Sequence, residues 1–298
     1  MLKTKRNGAV IVTAYKDLEQ LFFIIDYFKA DYNVIIHVCK NSKLVHDIDK
    51  INCIDNIFAF SEFNTTWGSY YHLQAVYKCM ELIYDYMACD SYVHIISGQD
   101  MPIQSLKFFN DFFTNNKKIY MTFTEVDPSD SNITFRYNLV NYLWRINLNN
   151  KLFRVVYLKF LLLIYRLPFK KKNKIASYTR ICKGMIWASI PFDALNYIIN
   201  EEKNYCFYKE LKRVFIPEEF FFQTILGNSS FNNRIENSDL RFTIWETRDG
   251  NRPAILDERD FEEIINSGAL FCRKVDSVKS RSLKKMIINH SRKGKDES

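Results

Sequence analysis

The chain has 298 residues, of which 47% are hydrophobic and 16% aromatic, and it carries a formal net charge of +8. That length and apolar content suffice for one large α/β domain or two small ones with a substantial core. Only 8 Gly and 6 Pro occur, which excludes a disordered chain and argues against a glycine-rich phosphate loop.

In chain order, residues 9–14 and 34–38 are short β-branched runs typical of buried strands. The first is too short for a signal peptide. Between them, Leu18, Leu21, Phe22, Ile25 and Phe28 recur at helical spacing. Residues 57–60 read as a third, weaker strand. Leu73, Val76, Tyr77, Met80, Ile83, Tyr84 and Met87 mark one helix face, and 92–96 is the next strand. This alternation predicts an α/β fold with a mostly parallel central sheet flanked by helices. In such sheets the ligand site lies at the carboxyl ends of the strands. Ser97-Gly98-Gln99-Asp100-Met101-Pro102-Ile103 falls there, although Ser, Gly, Asp and Pro are also ordinary turn formers. Residues 119–123 form another strand, ending at Thr124-Glu125.

Residues 152–167 are strongly apolar but include Arg154, Lys159 and Arg166, and the cluster Lys170-Lys171-Lys172-Asn173-Lys174 follows Pro168. The stretch is too short and too charged to span a bilayer. It fits an interfacial helix on an anionic leaflet, or a core helix with a solvated basic end. The segment from Gly184 to Ile190 leads into a helix over 192–199. A strand over 241–245 and a helix over 258–265 come after Pro217-Glu218-Glu219. From Arg281 onward few apolar residues occur beyond Met286, Ile287 and Ile288, which predicts a frayed end. With no repeat and no linker, the chain reads as one domain over 1–277 with a basic, apolar helical insertion near 150–175. Residues 278–298 read as a basic flexible tail.

The basic excess has no accompanying RNP motif, zinc finger or helix-turn-helix signature, so nucleic acid is not an expected partner. Seven cysteines form no C-x-x-C pair and are odd in number, which argues against a disulfide framework or a structural zinc site and for a reducing compartment. Five histidines occur without H-E-x-x-H, and neither G-x-S-x-G nor a Walker A loop is present. Asp47-Ile48-Asp49 is formally a D-x-D, but it lies in a polar stretch rather than at a strand end. The strand end that should carry such a motif holds a single acid, Asp100, which is thin support for a metal. In Pro217-Glu218-Glu219 the proline suits a first helical turn, and the dipole there favours ionised glutamates. A carboxylate kept ionised beside an apolar wall is what a general base needs, although acids are common in first turns. A phosphate-bearing donor handled without metal needs fixed cations on its leaving group. Arg273 and Lys274 are the natural candidates, with Arg252 upstream.

Trp67-Gly68-Ser69, the Ser97–Ile103 loop, Gly184 with Trp187, Pro217-Glu218-Glu219 with Gln223-Thr224-Ile225, and Leu270-Phe271-Cys272-Arg273-Lys274-Val275-Asp276 occur in this order. Together they resemble the core-2/I-branching β-1,6-N-acetylglucosaminyltransferase family, which also contains the peptide xylosyltransferases. The match runs from about Gly8 to Asp276. The resemblance implies a GT-A-like fold and an inverting, metal-independent transfer from a UDP-sugar, with no cofactor. The family's Pro-Asp-Glu motif matches Pro217-Glu218-Glu219, which places the catalytic base at Glu219. Its late lysine motif matches Phe271 to Val275, which places diphosphate binding at Lys274 beside Arg273, and an upstream arginine falls near Arg252 after a one-residue shift. Asp100, Lys16 and His37 are the other expected donor-binding residues. Glu125, Trp67, Arg136 and Trp187 are the expected acceptor-binding residues.

Two departures from the family pattern stand out. His37-Val38-Cys39-Lys40 has Cys39 where the family has an Asp near the nucleotide, so that contact is lost or displaced. Glu218 replaces an Asp. Lacking the luminal members' anchor and disulfides, the chain looks like a bacterial-type form, cytoplasmic and peripheral on the inner face of the cell membrane. The expected reaction is transfer of a sugar, N-acetylglucosamine first, to a hydroxyl of a surface-glycan precursor, either a glycan or a lipid-linked glycan. The alternatives are a xylosyltransferase of the same family, or an inactive glycan- or membrane-binding homologue.

Overall fold

The computed structural model describes Leu2 and residues 7–138, 140–141, 151–167, 175 and 177–293. The first third alternates strand and helix: β1 (Gly8–Ala14), α1 (Leu18–Phe28), β2 (Tyr32–Val38), α2 (Ile48–Asn52), β3 (Ile57–Phe60), α3 (Tyr70–Tyr84) and β4 (Tyr92–Ser97). Then come β5 (Asp100–Pro102), α4 (Leu106–Phe113), β6 (Ile119–Met121), β7 (Thr124–Glu125), α5 (Ser131–Asn138) and α6 (Lys151–Arg166). The remainder holds β8 (Cys182–Lys183), β9 (Ala188–Pro191), α7 (Phe192–Tyr205), α8 (Phe207–Glu210), α9 (Phe221–Gly227), β10 (Ile235–Asn237), β11 (Arg241–Thr243), α10 (Phe261–Asn266), β12 (Phe271–Arg273) and α11 (Arg281–Lys293).

A seven-stranded sheet runs β10-β6-β9-β4-β1-β2-β3. β4, β1, β2 and β3 are mutually parallel, and β9 runs antiparallel to both of its neighbours. β1 is buried along its whole length, because its residues alternate between two cores, as a central strand requires. Ala9 and Ile11 face a core built with α3, α7 and α9. Val10 and Val12 face the other, under α1 and α4. The pairing of Ala14 with Val38 and of Thr13 with Ser97 brings three strand ends to one edge. The β11-β12-β5 sheet lies on that edge, since β5 leaves β4 after only Gly98 and Gln99.

Several boundaries differ from the periodic reading. α3 starts at Tyr70 rather than Leu73, the sixth strand stops at Met121, and β11 stops at Thr243. The helix expected over 258–265 begins as a 3-10 turn, Glu258–Asp260, before α10. The frayed end expected after residue 280 is a helix over Arg281–Lys293. Leu283 and Ile287, four residues apart, are buried against Met101, Ile264 and Val275. Burying two such side chains contributes about 1.5–3 kcal/mol each, enough to order a basic helix. The lysine cluster over 170–174 lies outside the described residues.

Candidate functional site

Two carboxylates and a cluster of cations meet at the carboxyl edge of the parallel strands. On the acidic side, the chain reverses at Ile216, whose φ of 54° is in the left-handed region. For a β-branched residue that conformation is an outlier, costing on the order of 1–3 kcal/mol. Its N–H donates to the Gly68 carbonyl at 3.4 Å, and its side chain is buried with Phe215 against Phe135, Tyr157 and Leu161. Gly68 itself has φ +75°, and a Cβ there would meet the Phe215 ring at 3.2 Å. Trp67-Gly68 and Phe215-Ile216 therefore fit each other only in this pairing.

Pro217–Glu219 then forms one 3-10 turn ahead of α9. The glutamates precede α9 rather than occupying its first turn, so burial rather than the helix dipole governs Glu219. Its carboxyl is pushed up by burial and Glu218, opposed by Arg136 and Lys183. Arg136, on α5, donates from Nη2 to Glu219 Oε2 at 2.8 Å and stacks over Phe220 at 4.9 Å. The second acid points elsewhere. Glu218 Oε1 lies 3.2 Å from His72 Nδ1, and His72 Nε2 lies 3.4 Å from Thr13 Oγ1 at the end of β1.

On the basic side, Arg273 contacts Asp100 at 3.3 Å and hydrogen-bonds Ser97 Oγ at the end of β4. Asp100 also pairs with Arg241 at 3.5 Å, and both of those side chains are fully buried. Asp239 faces Arg241 as well, so the two arginines meet two acids and the cationic excess here is carried by Lys274 and Lys16. Lys274 has no ion pair among the described residues. Its ammonium is pushed down to about 8, first by desolvation and then by Arg273 and Lys16, with Asp100 opposing. Such a shift marks a site of unneutralised cationic potential. Tyr15 donates to Gln99 beside it at 2.9 Å.

Trp187 joins the two sides. Its ring takes Arg273 at 4.6 Å and lies 5.8 Å from His72. Gly184, three residues earlier, donates its N–H to the Glu219 carbonyl at 2.8 Å. A Cβ at Gly184 would lie 1.8 Å from the Thr122 carbonyl oxygen, so only glycine permits this approach. Trp187 Nε1, Glu218 Oε2, Arg136 Nε and Gln223 Oε1 are buried without a hydrogen-bond partner. Unmet polar capacity of this kind needs an explanation, and four cases occur in one region.

The expected site residues divide into those that converge here and those that do not. Glu219, Arg136, Trp187, Arg273 and Lys274 converge. Lys16 contributes to the same positive field. Trp67 is partly exposed and sandwiched between Phe215 at 5.6 Å and Arg154 at 4.5 Å. Arg252 is exposed, two residues from Ala254, whose carbonyl accepts from Lys274 N–H at 3.3 Å. Glu125 is exposed and bound to Arg180 at 2.7 Å, on β7, which pairs antiparallel with β8, the strand that carries Lys183.

Two of the expected donor-binding residues are fully enclosed. Asp100 is fully buried, so it orders Arg273 and Arg241 instead of lining an open pocket. His37 is also fully buried. Its Nε2 accepts from Phe63 N–H at 3.1 Å, and desolvation, reinforced by His72, holds the imidazole down at about 4. It props the loop after β3 in neutral form. Cys39, where the acid is missing, contacts Asn64 Oδ1 at 3.4 Å.

His72 and Arg241 were not identified from the sequence. His72 lies in the first turn of α3, ahead of the apolar face that identified the helix. Arg241 lay inside a strand-like run that carried no charge signal. Asp47-Ile48-Asp49 straddles a 3-10 turn and α2, and among the described residues no group of three or more His, Cys, Asp or Glu could hold a metal.

A mostly parallel sheet flanked by helices, with its polar residues gathered at the carboxyl ends of its strands, defines a GT-A-like glycosyltransferase. The chain belongs to the Core-2/I-Branching enzyme family, whose family model matches residues 9–265. Comparison with curated proteins finds no match.

Proposed function

We propose that this glycosyltransferase transfers a sugar from a UDP-sugar to an acceptor hydroxyl by a single inverting displacement, without a metal ion. The observation that carries the reading is Glu219, a carboxyl raised by burial and bound at one oxygen by Arg136, across Trp187 from the Arg273–Lys274 cations. Arg136 engages Oε2, which leaves Oε1 to take the acceptor proton. The acceptor oxygen forms its bond to the anomeric carbon as the bond to the β-phosphate oxygen breaks, and the electron pair departs with UDP. Lys274, with Arg273 beside it, meets the charge that develops on that leaving group, the role a metal fills where acids supply the site. The family resemblance makes N-acetylglucosamine the first donor to test and a β-linkage the expected product.

Transfer assayed across UDP-sugars, with linkage analysis of the product, tests the reaction. Rates unchanged by EDTA are expected, and a strict Mn²⁺ requirement would overturn the metal-free reading. The pH profile tests the two ionising groups. Glu219 must be deprotonated, so kcat/KM rises with pH, with its acid limb above the ordinary glutamate range because burial raises that group. Lys274 must be protonated, so kcat/KM falls as the pH passes about 8 in the free enzyme. Lys274→Arg should move that alkaline limb upward, because a guanidinium stays charged. A limb that does not move would remove Lys274 from the assignment.

A further inference from the structure

α6 presents apolar side chains both to the protein and to its outer surface. Its inner face, with Tyr157 and Leu161 buried, packs on Phe135, Phe215 and Ile216. Its outer face leaves Leu152 76%, Val156 58%, Phe160 54%, Leu163 60% and Leu167 49% exposed. On a helical wheel these five residues form one continuous stripe, with Lys159 and Arg166 along its edge. No described helix is long and apolar enough to cross a membrane.

Charge identifies the occupant of this face. No Asp or Glu occurs between Asp130 and Asp193, whereas the same stretch carries twelve Lys and Arg, including the cluster over 170–174. Since the whole chain is only +8, the remainder is net acidic and the cationic character is local. A second copy would bring the same charge to its partner and be repelled. An apolar stripe edged by lysine and arginine, with no acid nearby, matches a helix lying in an anionic lipid interface.

We infer that the outer face of α6 seats on an anionic lipid surface and that the acceptor hydroxyl reaches Glu219 from that surface. The route is short. Ile216, buried under the inner face of α6, is followed directly by Pro217-Glu218-Glu219. Tyr165 of α6 bonds Thr134 of α5 at 3.0 Å, and α5 carries the Arg136 that holds Glu219. Arg154 of α6 stacks on Trp67, at the rim of the same region. The acceptor's route rests on the proposed role of Glu219; the lipid contact does not.

The test is co-sedimentation of the full chain with vesicles of phosphatidylcholine alone, or of phosphatidylcholine mixed with phosphatidylglycerol. Binding to the mixed vesicles is expected, weak binding to the neutral ones, and release by salt. The double substitution Phe160→Ser with Leu163→Ser, at exposed positions, should weaken binding about tenfold or more. Lys159→Glu should weaken it by at least about fivefold. UDP-sugar affinity and transfer to a water-soluble acceptor should not change in these variants. Equal binding by wild type and the double variant would overturn the proposal, as would no binding to mixed vesicles. A dimer in free solution that dissociates on Leu163→Ser would also overturn it, assigning the face to a second copy. Vesicle binding with no UDP-sugar binding would keep the lipid contact and discard the glycosyl-transfer reading instead.

Discussion

Glu219→Gln is expected to lower kcat by about a hundred- to ten-thousand-fold, while UDP-sugar affinity changes by less than about twofold. The amide has the shape of the carboxylate and keeps an oxygen for Arg136, so the turn at Pro217 and the contacts of Phe220 persist. What it lacks is an atom that can accept the acceptor's proton. Single-turnover transfer together with isothermal titration of the donor separates chemistry from binding. Full activity in this variant would sink the assignment of the base. Glu218→Gln serves as the internal control. Because Glu218 contacts His72 rather than Arg136, its loss should cost far less, and a larger effect than at Glu219 would exchange the roles of the two acids.

Lys274→Met should lower kcat/KM for the donor by about a hundred- to a thousand-fold, the loss typical of removing one fixed donor to developing charge. Methionine keeps most of the apolar stem, so packing in this half-buried position changes little. The loss should exceed that from an exposed cation, because desolvation strengthens an unneutralised charge here. Arg273 cannot substitute for it fully, since that guanidinium is held by Asp100 and Ser97. The same variant should lose the alkaline limb of the pH profile. Steady-state kinetics over a pH series measures both effects, and wild-type kcat/KM in the variant would remove the lysine from the leaving-group role.

Local pattern revealed the frame of this protein. β1, β2 and β4 lie where their β-branched runs place them, and α1 begins at Leu18 as its period requires. The proline-glutamate turn and the Arg273-Lys274 pair were equally visible, because each is a contiguous group whose chemistry is carried by neighbours in the chain. Hidden from such a reading were residues that join the site from a distance. Arg136, expected only through the family resemblance and as an acceptor-binding residue, reaches Glu219 across 83 positions, a pairing that no local pattern of α5 announces. His72 reaches Glu218 across 146 positions. The tail was misread because three apolar residues among many basic ones look soluble, and only a waiting groove of Met101, Ile264 and Val275 shows that Leu283 and Ile287 are core.

The amino-acid sequence by itself determined the α/β alternation, the family, and which acid and which lysine to examine. Those depend on short-range periodicity and on ordered motifs, which survive without knowledge of contacts. Only the tertiary structure decided the state and surroundings of those groups. It buried Asp100 beneath two arginines and neutralised His37. It raised Glu219 through burial where a helix dipole was expected to lower it. It also left half of α6 uncovered. Burial, desolvation and the pairing of distant charges are properties of the packed chain, and they fix what each side chain can do.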